Sequence, residues 1–346
     1  MGGTERVTCS LANEMARHGN EVSIVSVFGV GGGCKFELDG NVRFLVACNR
    51  DYGLQMARLE RLRMVWQMAR ELRDNESLCS ADVVIAQKFF AAMLAVKAGL
   101  RQKLIVGEHY VYGMYSHPVV DLRNAIYRKA KAVVVLTEGC RRDFVRHGVR
   151  RVYAVGNMVT IARPEAETAR EKVMLAVGRL AVEKGFDLLV TAFSKVCDRL
   201  DGWRLEICGE GDERGRLEQL IAHLGLQGRV VLRGQVADVA NEYRKASFGV
   251  VSSRFEGFSM AILEAAAMRL PGVSFDCPDG PRSILGEGGG ILVKNQDVDA
   301  LAAALVEMAE NEALRRKCAD ETEKIVERYS PENIYTEWMQ IIEKSL

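Results

Sequence analysis

Two doubly wound α/β domains in tandem are the fold class this sequence predicts, and three observations carry the prediction. The chain has 346 residues, 48% hydrophobic and 27% charged, more than one ordinary core accommodates. In the first half, apolar runs of strand length alternate with segments of helical spacing, the grammar of a parallel sheet covered by helices. The same alternation restarts after a polar, charged stretch at 157–172 that contains Pro164.

Taken in order, residues 3–18 have helical spacing, 21–27 (EVSIVSV) read as a strand, and 58–73 form a basic amphipathic helix. Apolar runs at 81–86, 104–106 and 132–136 are the next strands. After the linker, strands are expected at 173–177, 204–208, 230–232, 248–251 and 272–275, with helices between. The resulting boundaries are a first domain over 1–157, a linker over 158–172 and a second domain over 173–330. A doubly wound domain normally opens with a central strand, yet this chain opens on Gly2-Gly3 and enters a helix at once, so the first strand of the N-terminal domain is expected to be missing.

Composition narrows the function classes. No apolar stretch approaches the ~20 residues of a membrane-spanning helix, and no secretion signal opens the chain. The nine cysteines are scattered and include no CxxC pair, so neither a disulfide framework nor a zinc site is expected and a reducing cytosol fits. Net charge is +1 but unevenly spread: residues 1–163 hold 24 Lys/Arg against 15 Asp/Glu, net +9, and the remainder holds 23 against 31, net −8. A basic half suits an anionic partner, such as phosphate groups or an acidic membrane surface; ordinary solvated surface is the plain alternative.

The strongest local signal is RFEGFSMAILEA, in which seven residues separate Glu256 from Glu264. Glu256 falls in the loop after a buried strand, at the carboxyl end where open α/β sheets bind ligands. Gly257 and Phe258 follow, Ser259 is placed to cap a helix beginning at Met260, and the free amides of that first turn suit a phosphate. Glu264 could accept hydrogen bonds from ribose hydroxyls. The alternative is that Glu256 caps a loop and Glu264 is a surface charge. As a hydrolytic pair the carboxylates are poorly spaced, since eight helical steps span about 12 Å against the roughly 5–9.5 Å that glycoside hydrolases use.

Upstream, VGRLAVEKGFDLLVTAF sets Gly178, Arg179 and Lys184 between a strand and a helix, where two cations can clamp a diphosphate and neutralise its charge as it leaves. Either cation alone reads as easily as surface charge. In ICGEGDERGRLEQLI, Gly209 and Gly211 allow close approach of backbone to a ligand, or serve a turn.

In this order and spacing, strand-GR-x4-K, strand-GEG and strand-EGF-x5-E resemble the family 4 retaining glycosyltransferases of GT-B fold. The resemblance extends over nearly the whole chain, through the opening GGTERV, the GEH at 107–109, the DCPDGPRSIL run and the final aromatic helix. It implies two Rossmann-like domains facing a central cleft, with 331–346 completing the first. It also implies that Arg179 and Lys184 hold the diphosphate, Glu264 the ribose, Glu256 sugar hydroxyls, and the amides of Phe258 to Met260 phosphate and sugar. His109 is similar to the family's histidine facing the sugar, and Gly2 and Gly3 to its glycine loop beside the phosphates.

The expected reaction is transfer of a hexose or N-acetylhexosamine from a nucleotide diphosphate sugar, a UDP-sugar by resemblance, to a glycan or lipid-linked glycan. No cofactor, metal or nucleic acid is expected, and the expected location is the cytoplasm, with the inner face of the cytoplasmic membrane as the alternative within it. The rivals are a sugar-nucleotide epimerase or hydrolase of similar fold and an inactive nucleotide-sugar-binding protein.

Two further features compete for attention. The run GVGGG at 29–33 lacks the third glycine of a dinucleotide fingerprint, and a flexible loop is the better reading. In the helix at 58–73, Leu59, Leu62, Val65, Trp66, Ala69 and Leu72 form an apolar stripe expected to pack on the sheet. The competing reading sets Trp66 and the arginines against anionic lipid, which flotation with acidic vesicles tests.

Overall fold

The computed structural model describes residues 3–28, 34, 36–48, 58–163 and 169–346, apart from the side chains of Cys48, Arg58, Leu59, Arg61 and Leu62. Gly2, the 29–33 run and Pro164 lie outside the described residues. The chain divides into two compact units, Met1–Met158 with Pro331–Leu346, and Val159–Ser330.

The first unit opens on the helix Gly3–Arg17 and holds six strands: β1 Val22–Phe28, β2 Val42–Cys48, β3 Val84–Gln87, β4 Leu104–Gly107, β5 Ala132–Val135 and β6 Val152–Ala154. All described pairings are parallel, but the strands form two sheets, β1-β2 and β3-β4-β5-β6. β1 and β3 are not paired to each other, and every residue of β1 is only half-buried, whereas β4 and β5 are buried throughout. The helix Lys88–Lys97 packs on β3 and β4, and the helix Arg58–Arg73 packs on that helix and on β2; the core they share includes Leu94, Leu104, Val106, Tyr127, Val133 and Phe144. Each such side chain contributes about 1.5–3 kcal/mol when fully buried. The C-terminal helix Pro331–Glu343 packs on the opening helix through Tyr335, whose ring stacks on His18 at 3.9 Å and whose hydroxyl meets Asn20 at 3.2 Å.

In the helix Arg58–Arg73, Met64, Met68, Ala69 and Leu72 are buried, but Trp66 is 57% exposed, with Lys97 Nζ 4.2 Å above its ring. Trp66 therefore does not belong to the packing stripe: at about 100° per residue it points roughly 140° away from the line through Met68 and Leu72. Among the described residues, no helix is long and apolar enough to cross a membrane.

The second unit is one six-stranded parallel sheet: β7 Val173–Val177, β8 Arg204–Cys208, β9 Val230–Gly234, β10 Phe248–Val251, β11 Gly272–Asp276 and β12 Gly290–Lys294, in the order β12-β11-β10-β7-β8-β9. From β7 the chain winds outward through β8 and β9, then returns to β10 and winds the other way. Strand order thus reverses between β7 and β10, the crevice where open α/β sheets take ligands. The core joins Met174, Leu189, Phe193, Leu205, Ile207, Phe248 and Phe275. β2, β6 and β12 were not anticipated; each is the edge strand of its sheet.

Candidate functional site

Because the second sheet is parallel, the loops after β7, β8 and β10 leave the same edge, with β7 central among them. They are cross-bonded through backbone: Leu180 N–H donates to Glu210 C=O at 2.9 Å, and Arg254 N–H to Glu183 C=O at 2.8 Å. At the β7/β10 crevice Lys184 meets Glu256. Lys184 Nζ donates to both carboxylate oxygens, at 2.8 and 3.1 Å, and Ser253 Oγ donates to one of them at 2.8 Å. Their side chains are 27% and 13% exposed, so the pair is largely withdrawn from water yet reachable by a ligand.

Backbone geometry holds this pair. Gly185, at φ +63, turns the chain from Lys184 into the helix Phe186–Ser194, and a Cβ there would lie 2.1 Å from the Ser252 carbonyl oxygen. Ser252 Oγ donates to Lys184 C=O at 3.0 Å. Arg254 forks onto Asp187 at 2.9 and 2.7 Å, binding the β10 loop to that helix. Glu256 also bridges Asp279, and its carbonyl accepts from Gly280 N–H at 3.0 Å. Ser253, Arg254, Asp187 and Asp279 were given no role in the sequence reading, although RFEGFSMAILEA contains Arg254, VGRLAVEKGFDLLVTAF Asp187 and DCPDGPRSIL Asp279.

The other expected donor residues are placed as follows. Arg179 stands 72% exposed and pairs with Glu183 at 2.6 Å. Gly209 and Gly211 approach protein backbone: a Cβ would fall 1.9 Å from the Gly178 oxygen and 2.2 Å from the Leu180 oxygen, respectively. Ser259 occupies the N-cap position of the helix Met260–Ala267, but its side chain makes no capping hydrogen bond. The Phe258 ring is buried edge-on against Tyr329, 5.3 Å between centroids, which leaves its main chain for the site. Glu264 is only 4% exposed and accepts from the Tyr243 hydroxyl at 3.1 Å, so the surface-charge reading is wrong.

In the first unit, His109 follows β4 at the carboxyl edge of its sheet. Its Nε2 lies 2.7 Å from Gln87 Oε1 at the end of β3, and a Cβ on Gly107 would strike that oxygen at 2.4 Å. Glu108, 1% exposed, organises the turn: its carboxylate accepts from the N–H groups of His109 and Tyr110 at 2.9 and 3.1 Å and from the Tyr127 hydroxyl at 2.7 Å. Burial raises the Glu108 carboxyl above its ordinary value despite these bonds. Fully buried Arg123 lies nearby, with its guanidinium carbon 4.5 Å from the Tyr112 and Phe144 ring centroids. Gly3 begins the opening helix with nothing crowding its α-carbon.

Burial, then the charge of Lys88, push His109 from 6.5 down to about 4, so it stands neutral at pH 7. The unfolded chain takes up its proton near 6.5, hence the stability tied to the neutral ring is fully present above that pH and is lost as pH falls toward about 4. The stability difference between wild type and His109→Gln should accordingly shift against wild type between pH 7 and pH 4.5. Urea melts at the two pH values read it, and a pH-independent difference contradicts this assignment.

Among the described residues, one grouping has donor atoms spaced to hold a cation: Glu14, His18 and Glu332, within 4.8 Å of one another where the opening and C-terminal helices meet. Its nearest polar relations are internal, since His18 Nε2 lies 3.3 Å from Glu14 and 3.2 Å from Glu332.

Comparison with known proteins follows the division into units. A family model described as Glycosyltransferase Family 4 matches residues 1–163, and one described as Glycosyl transferases group 1 matches residues 159–325. The amylovoran biosynthesis glycosyltransferase AmsD of Erwinia amylovora is 28% identical, over 99% of this chain and 96% of its own. Solved structures that share the fold over the full chain include Anabaena Alr3699/HepE, in complex with UDP and glucose, with TM-score 0.80 at 18% identity over 99% of this chain and 96% of that one, and the lipopolysaccharide outer core galactosyltransferase WaaB, with TM-score 0.73 at 21% identity over 100% and 97%.

Proposed function

The chain belongs to glycosyltransferase family 4 and is a glycosyltransferase of GT-B fold, and from that premise we propose that it transfers a hexose or N-acetylhexosamine from a UDP-sugar to a hydroxyl of a glycan or lipid-linked glycan, retaining the anomeric configuration. The observation that carries this reading is the Lys184–Glu256 pair at the strand-order reversal of the second unit. It sets a cation for the diphosphate beside a carboxylate for sugar hydroxyls. The UDP and glucose bound by Anabaena HepE, and the amylovoran assembly served by AmsD, support the donor and the glycan acceptor.

In this mechanism Lys184, Arg179 and the amides at Phe258 to Met260 neutralise the charge that grows on the departing diphosphate, so no metal is required. Glu264 binds the ribose, Glu256 the sugar hydroxyls, and neutral His109, whose Nε2–H donates to Gln87 Oε1, accepts through Nδ1 from a hydroxyl of the transferred sugar. The acceptor hydroxyl attacks on the face from which the diphosphate leaves, and the leaving phosphate takes its proton. Catalysis rests on positioning and charge stabilisation without a covalent nucleophile.

A panel of UDP-sugars incubated with and without oligosaccharide acceptors, with products followed by NMR, tests the proposal. Acceptor-dependent UDP release with an α-linked product from an α-linked donor is expected. Equal release without acceptor would indicate a hydrolase, an altered sugar on intact donor an epimerase, and donor binding without turnover a binding protein.

A further inference from the structure

Lys88 is a strained residue with no ion-pair partner among the described residues. It follows β3 directly, begins the helix Lys88–Lys97 and holds φ +69, a conformation that a side chain bearing a Cβ rarely adopts. Such outliers concentrate where a side chain must be held for a ligand. Among the described residues no carboxylate pairs with it; its Nζ lies 3.2 Å from the Tyr110 hydroxyl and 4.8 Å from that ring's centroid. Tyr110 meets Tyr115 edge-on at 6.2 Å, and Tyr115 meets Phe89 at 6.1 Å. All four side chains are half-buried, and they gather beside His109 at the carboxyl edge of β3 and β4. Aromatic faces suit the apolar face of a pyranose, and an unpaired ammonium suits an anion. This unit, residues 1–158 with 331–346, holds 24 Lys/Arg against 18 Asp/Glu, net +6, which favours the approach of an anionic molecule to it.

We propose that Lys88, Phe89, Tyr110 and Tyr115 form an acceptor subsite for a hexose residue bearing an anionic group, a uronate carboxylate or a phosphate. This rests on the glycosyltransferase reading above and adds the chemical class of acceptor to it. The aromatic rings hold the sugar, and Lys88 selects its charge.

Saturation-transfer NMR on the full chain tests the subsite, with UDP present at saturation so that its own site is filled. The probes are methyl β-glucuronide, glucose 6-phosphate and neutral methyl β-glucoside. At least one anionic sugar should bind about tenfold or more tightly than the neutral one, and the tighter of the two identifies the anion. Lys88→Gly fits φ +69 without strain, so it should melt no lower than wild type yet lose the preference for charge, while Lys88→Arg keeps it. Tyr115→Ala should weaken charged and neutral sugars alike. Equal binding of the three probes, an undiminished preference in Lys88→Gly, or displacement of the anionic sugars by UDP would overturn the proposal. UDP binding is read from its own resonances, so failure of the nucleotide-sugar reading is seen separately.

Discussion

Lys184→Ala is expected to lower kcat/KM for the nucleotide-sugar donor by about 10²–10³-fold, equivalent to roughly 3–4 kcal/mol of transition-state stabilisation. In the proposed mechanism the Lys184 ammonium meets the charge that develops on the diphosphate, and its partial burial keeps that interaction strong. Removing it also strands Glu256, which would keep Ser253 as its hydrogen-bond donor but lose its cation. Both kcat and donor affinity should therefore fall. Glu256→Ala should act differently: Lys184 becomes free to meet phosphate, so nucleotide binding survives while turnover drops. Steady-state kinetics of the two variants separate these patterns, and a Lys184→Ala enzyme within threefold of wild type would remove the residue from the mechanism.

Gly209→Ala is expected to destabilise the protein by about 3 kcal/mol or more, the range of overpacking combined with an incompatible backbone angle. At φ +147 the new Cβ would lie 1.9 Å from the Gly178 carbonyl oxygen, a backbone atom that cannot swing aside. Relief requires moving the turn after β7, where Gly178 N–H donates to Cys208 C=O at 3.0 Å, and Arg179 would move with it. A melting temperature about 6–12 °C lower follows for a unit of this size. Gly225→Ala is the control: it has φ +67 but nothing within 4 Å of the new atom, so only about 1 kcal/mol is expected. Equal melting temperatures for the two variants would contradict the steric account.

Legibility of the fold followed burial. β7 and β10 coincide with their sequence readings because interior strands of a parallel sheet are nearly continuous apolar runs bounded by glycine or polar residues, and β8 (RLEIC) coincides through the alternation of Leu205 and Ile207 with polar residues. β2 carries exposed Arg43 and Val46, β6 spans only three residues, and β12 is half-buried or exposed throughout; each pairs on one side only and so lacks that signature. β1 and β3 were read as neighbouring elements of one alternation, and among the described residues they belong to separate sheets.

The chemistry of the site was legible as residue types on strand-to-helix loops, because a parallel sheet sends those loops to one edge. Their pairings were not. Lys184 and Glu256 lie 72 residues apart, Gln87 and His109 lie 22 apart, and no local periodicity reports such contacts. The burial of Glu264 was equally hidden, since its helix position allows either face until Tyr243 is placed against it. Lys88 was invisible for another reason: backbone strain at a non-glycine residue leaves no trace in composition or spacing.

The central claim is that the crevice between β7 and β10 holds the diphosphate of a nucleotide through Lys184. Titration calorimetry with UDP measures it most directly. Saturable binding at one site per chain, weakened at least tenfold in Lys184→Ala, is the predicted result; no binding to the wild-type chain, or equal affinity in the two proteins, would contradict it.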